Sequence, residues 1–370
     1  MRVITKPTTA KCNIQAYIRY LLSEPVRTSC TGLSDVLLNI SHDSVNRFLL
    51  RENYRPEDLW TEVSEKIDLN NGVLSVDDMV IDKPYSNAEK TDLIGFFYSG
   101  KHHCVVKGVN VITLYYTDQH DVSVPINFRI IDPDEGKTKN EHFREMLQQV
   151  LSWGLQPSWV TGDCWYSSIE NLKFIRKYNL GMLFAIENNR IISSERGSCC
   201  QVQAIDCWDE SGVQVYLKKF GMVKVFRQKC SHSYRYYAVA MPKINMLTDF
   251  TDGDFERIHK AHWNIERFHR ATKQLCSIEK FQVRTTECIK NHIFYSFISF
   301  IKLECARISD IISNWYQLKK DLFIGVVRDF IIKGIEAEEK SKLIPACQCV
   351  SPDSNDFSPF NSFMVDHRSS

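Results

Sequence analysis

VLSVDDMVI, from Val73 to Ile81, sets two adjacent acids inside an apolar run. The branched residues around them read as a β-strand. An acid in such a strand is costly unless it is paired or bound to a cation. Asp77 and Asp78 therefore mark both the first strand of the fold and a candidate site. Two more strands follow, CVVKGVNVITLYY (Cys104–Tyr116) and VSVPINFRII (Val122–Ile131), and the turn sequence DPDEG closes the group at Gly136. Helical spacing then covers Asn140–Trp153, a strand Ser158–Asp163, a helix Ser167–Tyr178 and a strand Gly181–Glu187. From Asn188 to Ser233 the chain is polar, with short β-like pieces, before another strand at Arg235–Met241. Long helices are expected over about Gly253–Leu275 and Thr285–Arg307. Three strands leading into alternating helices and strands imply an α/β fold, a mixed sheet flanked by helices.

Upstream, residues 1 to about 65 read as helical. Helices are expected over Asn13–Leu22, Leu33–Leu38 and His42–Leu50, with Ser41 capping the last. The tight turn at Asn39, Ile40 and Ser41 makes the second pair a candidate helix-turn-helix. In that reading Ser44, Asn46 and Arg47 face outward to DNA, while Val45, Phe48 and Leu49 pack inward.

The 370 residues carry a net charge of +1, so any nucleic-acid surface must be local. Asp254–Lys302 is the candidate patch, with nine Lys/Arg, five Asp/Glu and four His. The thirteen cysteines form no paired C-x-x-C clusters and read as reduced thiols of a cytosolic protein. No run is apolar enough for a membrane span. No Gly-rich phosphate loop or nucleophile elbow supports a metabolic α/β enzyme.

Two further acids complete the candidate site. Asp163 ends the strand PSWVTGD. Carboxyl ends of neighbouring strands converge on one crevice, where two acids repel unless a cation lies between them. Hard oxygen donors suit Mg²⁺ or Mn²⁺. Glu266 lies in the helix RIHKAHWNIERFHRATKQL, one face of which carries His259, His262, Glu266, Arg270 and Lys273. Ile258, Ala261, Ile265, Phe268 and Leu275 line the other.

Taken together, these segments resemble the DDE transposases of bacterial insertion sequences. The match is to the group whose last catalytic helix carries Tyr-x2-Arg-x3-Glu-x6-Lys. That register falls on His259, His262, Glu266 and Lys273, so histidines stand where the family has Tyr and Arg. VDDMVIDKPYS, YSGKHHCVVKGVNVITL, PINFRI, GKTKNEHFREML and TGDCWYSSIENLKFI are similar to family blocks, in family order, over about residues 70–305. The resemblance implies a ribonuclease-H-like core over residues 70–187 and 234–310, with a β-rich insertion at 188–233. A helical DNA-binding domain (1–65), a C-terminal helical segment (311–345) and a disordered tail (346–370) complete the expected organisation. It implies Asp77 or Asp78 as first catalytic acid, with Asp77 preferred, followed by Asp163 and Glu266. Asp77, Asp163 and Glu266 would hold two Mg²⁺ or Mn²⁺ ions.

The implied activity is DNA cleavage at transposon ends and strand transfer into target DNA, by a homodimer on double-stranded DNA in a bacterial cytoplasm, at the nucleoid. Lys273, Arg270, His259 and His262 would hold phosphates. The histidines would do so when protonated or by neutral N–H donation. Lys83, Lys101, Lys107, Lys137 and Lys139 would add backbone contacts. Two alternatives stay open: a nuclease of the same fold that does not join, and an inactive DNA-binding descendant of a transposase.

Overall fold

β1 (Val73–Asp82) pairs antiparallel with β3 (Cys104–Thr117) on one side. On the other it pairs parallel with β5 (Trp159–Gly162), Val76 lying beside Gly162. The first four residues of β1 are all buried, as a strand covered on both faces requires. β3 also pairs with β2 (Gly95–Ser99) and β4 (Ser123–Ile130), both antiparallel. β6 (Gly181–Ile186) runs parallel to β5. An antiparallel group leading into parallel β5 and β6 is the ribonuclease-H-like arrangement expected from the sequence. The description covers residues 10–24, 27–51, 53–100, 102–195, 198–230 and 233–342 of this computed structural model. The expected tail at 346–370 and Lys101 lie outside them.

The insertion does not stand apart from the core. Its strands β7 (Ile191–Glu195), β8 (Ser198–Gln201), β9 (Val213–Leu217) and β10 (Gly221–Cys230) continue the same sheet through β11 (Ser233–Ala240). β11 pairs antiparallel with β6, Val239 opposite Leu183. The sheet order is β2-β3-β1-β5-β6-β11-β10-β9-β7-β8, with β4 on β3.

Among the described residues, α1 (Ile14–Ser23), α2 (Cys30–Leu37), α3 (His42–Arg51) and α4 (Pro56–Val63) precede the sheet. α5 (Lys139–Ser152) and α6 (Ile169–Arg176) follow β4 and β5. After the short α7 (Met246–Asp249) come the two long helices, α8 (Asp252–Leu275) and α9 (Thr286–Ile308). α9 is apolar nearly all round and correspondingly buried. It carries the N-terminal helices: Tyr295 stacks on Phe48 of α3 at 5.2 Å, and Phe294 stacks on Tyr54 at 4.3 Å. The His292 ring lies 3.0 Å from the Ser277 carbonyl through Nε2, so that nitrogen is the donor and Nδ1 accepts from the Tyr17 hydroxyl at 2.8 Å. Buried residues of α1–α4 belong to the same hydrophobic cluster as those of β1, β3 and α9, and a second cluster packs Ile258 and Ala261 of α8 against Val73, Trp159 and Leu183.

From Lys320 onward the chain is a second unit. Its described part is the body of α10 (Gln317–Lys342), which exposes Phe323, Val326, Phe330 and Ile335. No helix among the described residues is long and apolar enough to cross a membrane.

Candidate active site

Side chains alternate along β1, so Asp77 and Asp78 point to opposite faces of the sheet. α8 packs over the Asp77 face and is tied to it at three levels. His262 Nδ1 lies 3.2 Å from Thr161 Oγ1, which itself donates to Ser75 Oγ at 2.9 Å. His269 Nδ1 lies 3.4 Å from Asp77 Oδ2. Lys273 Nζ donates to the Val80 carbonyl at 2.8 Å. From His262 to Lys273 the helix rises about 16 Å, as does the strand from Ser75 to Val80. Helix and strand thus run side by side in the same direction, and Glu266, one turn from both His262 and His269, falls level with Asp77.

Asp163 reaches the same place from β5. The β1–β5 ladder ends at Val76 and Gly162, so Asp77 and Asp163 are the next residue of each parallel strand. The join is tight: a Cβ on Gly162 would come within 2.7 Å of the Phe184 ring and 2.8 Å of Val76. Asp163 then caps the short 3-10 turn Cys164–Tyr166, its Oδ1 accepting from Trp165 N at 3.0 Å.

Electrostatics report the convergence. Burial, then the charges of Glu266 and Asp78, raise the Asp77 carboxyl well above its ordinary range. Burial, then the charges of Asp77 and Asp78, push Asp163 up to about 8. Like charges crowded in a part-buried place have this effect, and a cation among them would reverse it. Among the described residues, no group of three or more His, Cys, Asp or Glu side chains is close enough together to hold a metal ion as they stand. The donors that meet here are nonetheless carboxylate oxygens, the chemistry that Mg²⁺ or Mn²⁺ takes.

Asp78 is engaged elsewhere. On the far face it accepts from Lys139 Nζ at 2.7 Å, Asn110 Nδ2 at 2.6 Å and the Tyr166 hydroxyl at 3.1 Å. Three donors, the Lys139 ammonium among them, engage this carboxylate, whereas Asp77 has the His269 ring and the Asp78 amide beside it and feels the charges of Glu266, Asp78 and Lys139.

Several expected DNA contacts are placed differently from the sequence reading. Ser44 is buried, not outward: its Oγ accepts from the backbone of Lys11 at 2.6 Å and Cys12 at 3.2 Å. Asn46 and Arg47 are exposed on α3. His262 is held neutral, its pKa lowered to about 4 by burial and by His259. Since Thr161 donates its hydroxyl proton to Ser75, the His262 Nδ1–H is the donor to Thr161. With Nδ1 engaged by Thr161, this neutral ring brings no positive charge to a phosphate. His259 is lowered too, by burial and Arg235, and sits between the Phe255 and Tyr237 rings with Nε2 3.1 Å from the Tyr237 hydroxyl. Lys273 is ion-paired with Glu279 at 2.7 Å besides its bond to Val80. Arg270 is exposed. Of the wider lysine set, Lys83 is buried, donating to the Glu279 and Phe281 carbonyls at 2.8 and 2.7 Å. Lys137 pairs with Glu135 and Glu145, and Lys139 with Asp78.

His269 is the residue that the sequence reading missed. It follows Glu266 by one turn, is buried, and touches Asp77. Burial lowers its pKa to about 4, so it is a neutral ring beside the acid.

The sequence model of the transposase DDE domain family matches residues 71–301. No curated protein matches the chain. Among solved structures it is similar to a piggyBac transposase synaptic complex with hairpin DNA, at 12% identity and a TM-score of 0.46, over 93% of this chain and 77% of that one. It is also similar to the Drosophila P element transposase strand transfer complex, at 11% identity and a TM-score of 0.27, over 52% of this chain and 48% of that one. The matched segment runs from the residue two before β1 through most of α9, and so takes in Asp77, Asp163 and Glu266 together: the chain belongs to the transposase DDE domain family.

Proposed function

We propose that this transposase cleaves DNA at the ends of a mobile element and joins the freed 3′-OH to target DNA, using two divalent cations held by Asp77, Asp163 and Glu266. One observation carries the residue assignment. The three acids come from β1, β5 and α8 to one level of the sheet, where Glu266 and Asp163 are each electrostatically coupled to Asp77. When bound, the cations supply Lewis acidity that activates a water or 3′-OH and stabilises the leaving 3′ oxygen. The chain's own residues do the positioning. His269 orients Asp77, the Ser75–Thr161–His262 chain fixes α8 against β5, and Lys273 with Glu279 fixes the far end of α8 on β1. Asp78, engaged by Lys139, Asn110 and Tyr166, acts as a structural acid that holds α5 and the turn after Asp163 to β1.

Asn46, Arg47 and Arg270 are the exposed remainder of the expected DNA contacts, and we assign them to the terminal repeats and the backbone. We take the protein to act as a homodimer on double-stranded DNA, in the cytoplasm of a bacterial host. The exposed apolar residues of α10 support self-association.

The test is a supercoiled plasmid carrying the element's two ends, incubated with the protein in Mg²⁺ or in EDTA. Nicked and joined products in Mg²⁺ alone are expected. Cleavage that persists in EDTA contradicts the metal assignment, and cleavage without joined products makes the chain a nuclease.

A further inference from the structure

Around α8 from the carboxylates lies a second cluster with no assigned role. Lys260, Asn264 and Arg267 occupy a stripe at i, i+4 and i+7 on nearly the opposite side of the helix from the stripe of His262, Glu266 and His269, about 160° round, with Arg270 about midway between the two on the exposed face. With Arg307 of α9, these residues line a cavity of about 390 Å³ floored by Glu304 and Trp315.

The floor is electrostatically finished. Glu304 is fully buried, pairs with Arg307 at 2.7 Å, and accepts from Trp315 Nε1 at 2.7 Å and Ser123 N at 3.3 Å. The walls are not. The Arg267 guanidinium lies over the Trp315 ring at 5.1 Å and donates to Asn264 Oδ1 at 3.3 Å. Asn264 is itself held by Nδ2 donating to Ser123 Oγ at 3.2 Å. Arg267 is thus positioned by neutral groups. Among the described residues, no carboxylate comes within ion-pair distance of Lys260, Arg267 or Arg270. The remaining acid of the lining, Asp121, is exposed at the rim. Unpaired cations sharing one cavity repel each other, and an anion among them relieves this.

We propose that this cavity is a second DNA-backbone site, taking a phosphate of the strand that flanks the bond held at Asp77, Asp163 and Glu266. The inference rests on the DNA-cleaving reading, because it is the position of Arg270, on the rim between the two stripes, that leads a strand from one site to the other. Recognition would be through charge alone, so it is independent of base sequence.

The test is the affinity of the full chain for an arbitrary duplex of about 30 base pairs across a salt series, because each phosphate contact adds about 0.9 to the slope of log affinity against log salt. Lys260→Gln/Arg267→Gln is expected to weaken binding about tenfold near physiological salt and to lower the slope by about 1, the loss of one phosphate contact. Lys260→Arg should keep both values, and the melting temperature of the double variant should match wild type. Asp163→Asn should bind with the wild-type slope, so a failure of the catalytic reading shows in cleavage and a failure of this site shows in binding. An unchanged slope in a folded double variant overturns the proposal. So does inorganic phosphate raising the wild-type melting temperature while the DNA slope is unaffected by the substitutions, which assigns the cavity to a small anion.

Discussion

Asp77→Asn is expected to lower Mg²⁺-dependent DNA cleavage by roughly 10³-fold or more, a loss of about 4 kcal/mol of transition-state stabilisation, while Asp78→Asn lowers it by no more than about tenfold. The two residues are adjacent and identical in chemistry, so the difference rests entirely on their faces. Asp77 looks toward α8, meets His269, and is coupled to Glu266. Asp78 looks toward α5 and already has its donors. Stability should move the other way. Asp78→Asn removes the acid that pairs with the part-buried Lys139, a change worth about 1–3 kcal/mol. Asp77→Asn removes a repelling charge and should leave the metal-free fold as stable as wild type or more so. Cleavage kinetics and thermal melts of both variants check this. Equal losses of activity, or a larger loss in Asp78→Asn, would reverse the assignment.

The second large effect concerns stability against pH. Asp163 has a pKa of about 8 in the metal-free fold, above its ordinary 3.8. A raised folded-state pKa means that the native protein holds a proton that the unfolded chain has lost. The stabilisation is complete below about pH 4 and disappears as pH rises through 8. The metal-free protein should therefore lose stability across this window, by roughly 2 kcal/mol once part exposure is discounted, or about 4 °C in melting temperature for a unit this large. A bound cation favours the ionised acid, so the rise in melting temperature on adding Mg²⁺ or Mn²⁺ should grow from pH 6 to pH 8. Asp163→Asn, neutral at every pH, should melt higher than metal-free wild type at pH 8 and gain little from the cation. A wild-type Mg²⁺ shift that is flat with pH, or one that survives intact in Asp163→Asn, would contradict the coupling of these acids.

Much of this arrangement could be read from residue patterns, and the exceptions have physical reasons. The apolar runs of β1, β3, β5 and β6 are dense enough to identify central strands, and α8 and α9 come within two residues of their expected bounds because caps and apolar stripes mark them. The faces of single side chains are harder. Ser44 sits at a helical position that a wheel turns outward, but the incoming chain at Lys11 and Cys12 needs an acceptor there and covers it. His269 belongs to neither the basic nor the apolar stripe, so it drew no notice. It is significant only because β1 passes beneath it. Lys83 looks like one lysine among many until the link between α8 and α9 folds its carbonyls over the ammonium. The insertion's weak, polar strands gave no sign that they extend the core sheet, because β7–β8, β9–β10 and β10–β11 are local hairpins and only the long-range pairing of β11 with β6 joins them to it. Adjacent acids at Asp77 and Asp78 were ambiguous for the same reason. Period-2 alternation separates their faces, but only the packed helices show which face is which.

Cleavage of DNA bearing the element's ends by wild type and Asp163→Asn, compared in Mg²⁺ at equal DNA occupancy, tests the three-carboxylate centre most directly. Wild type should cleave and Asp163→Asn should bind equally well yet cleave at least about 10³-fold more slowly. Equal cleavage by the two would remove Asp163, and with it the three-carboxylate centre, from the chemistry.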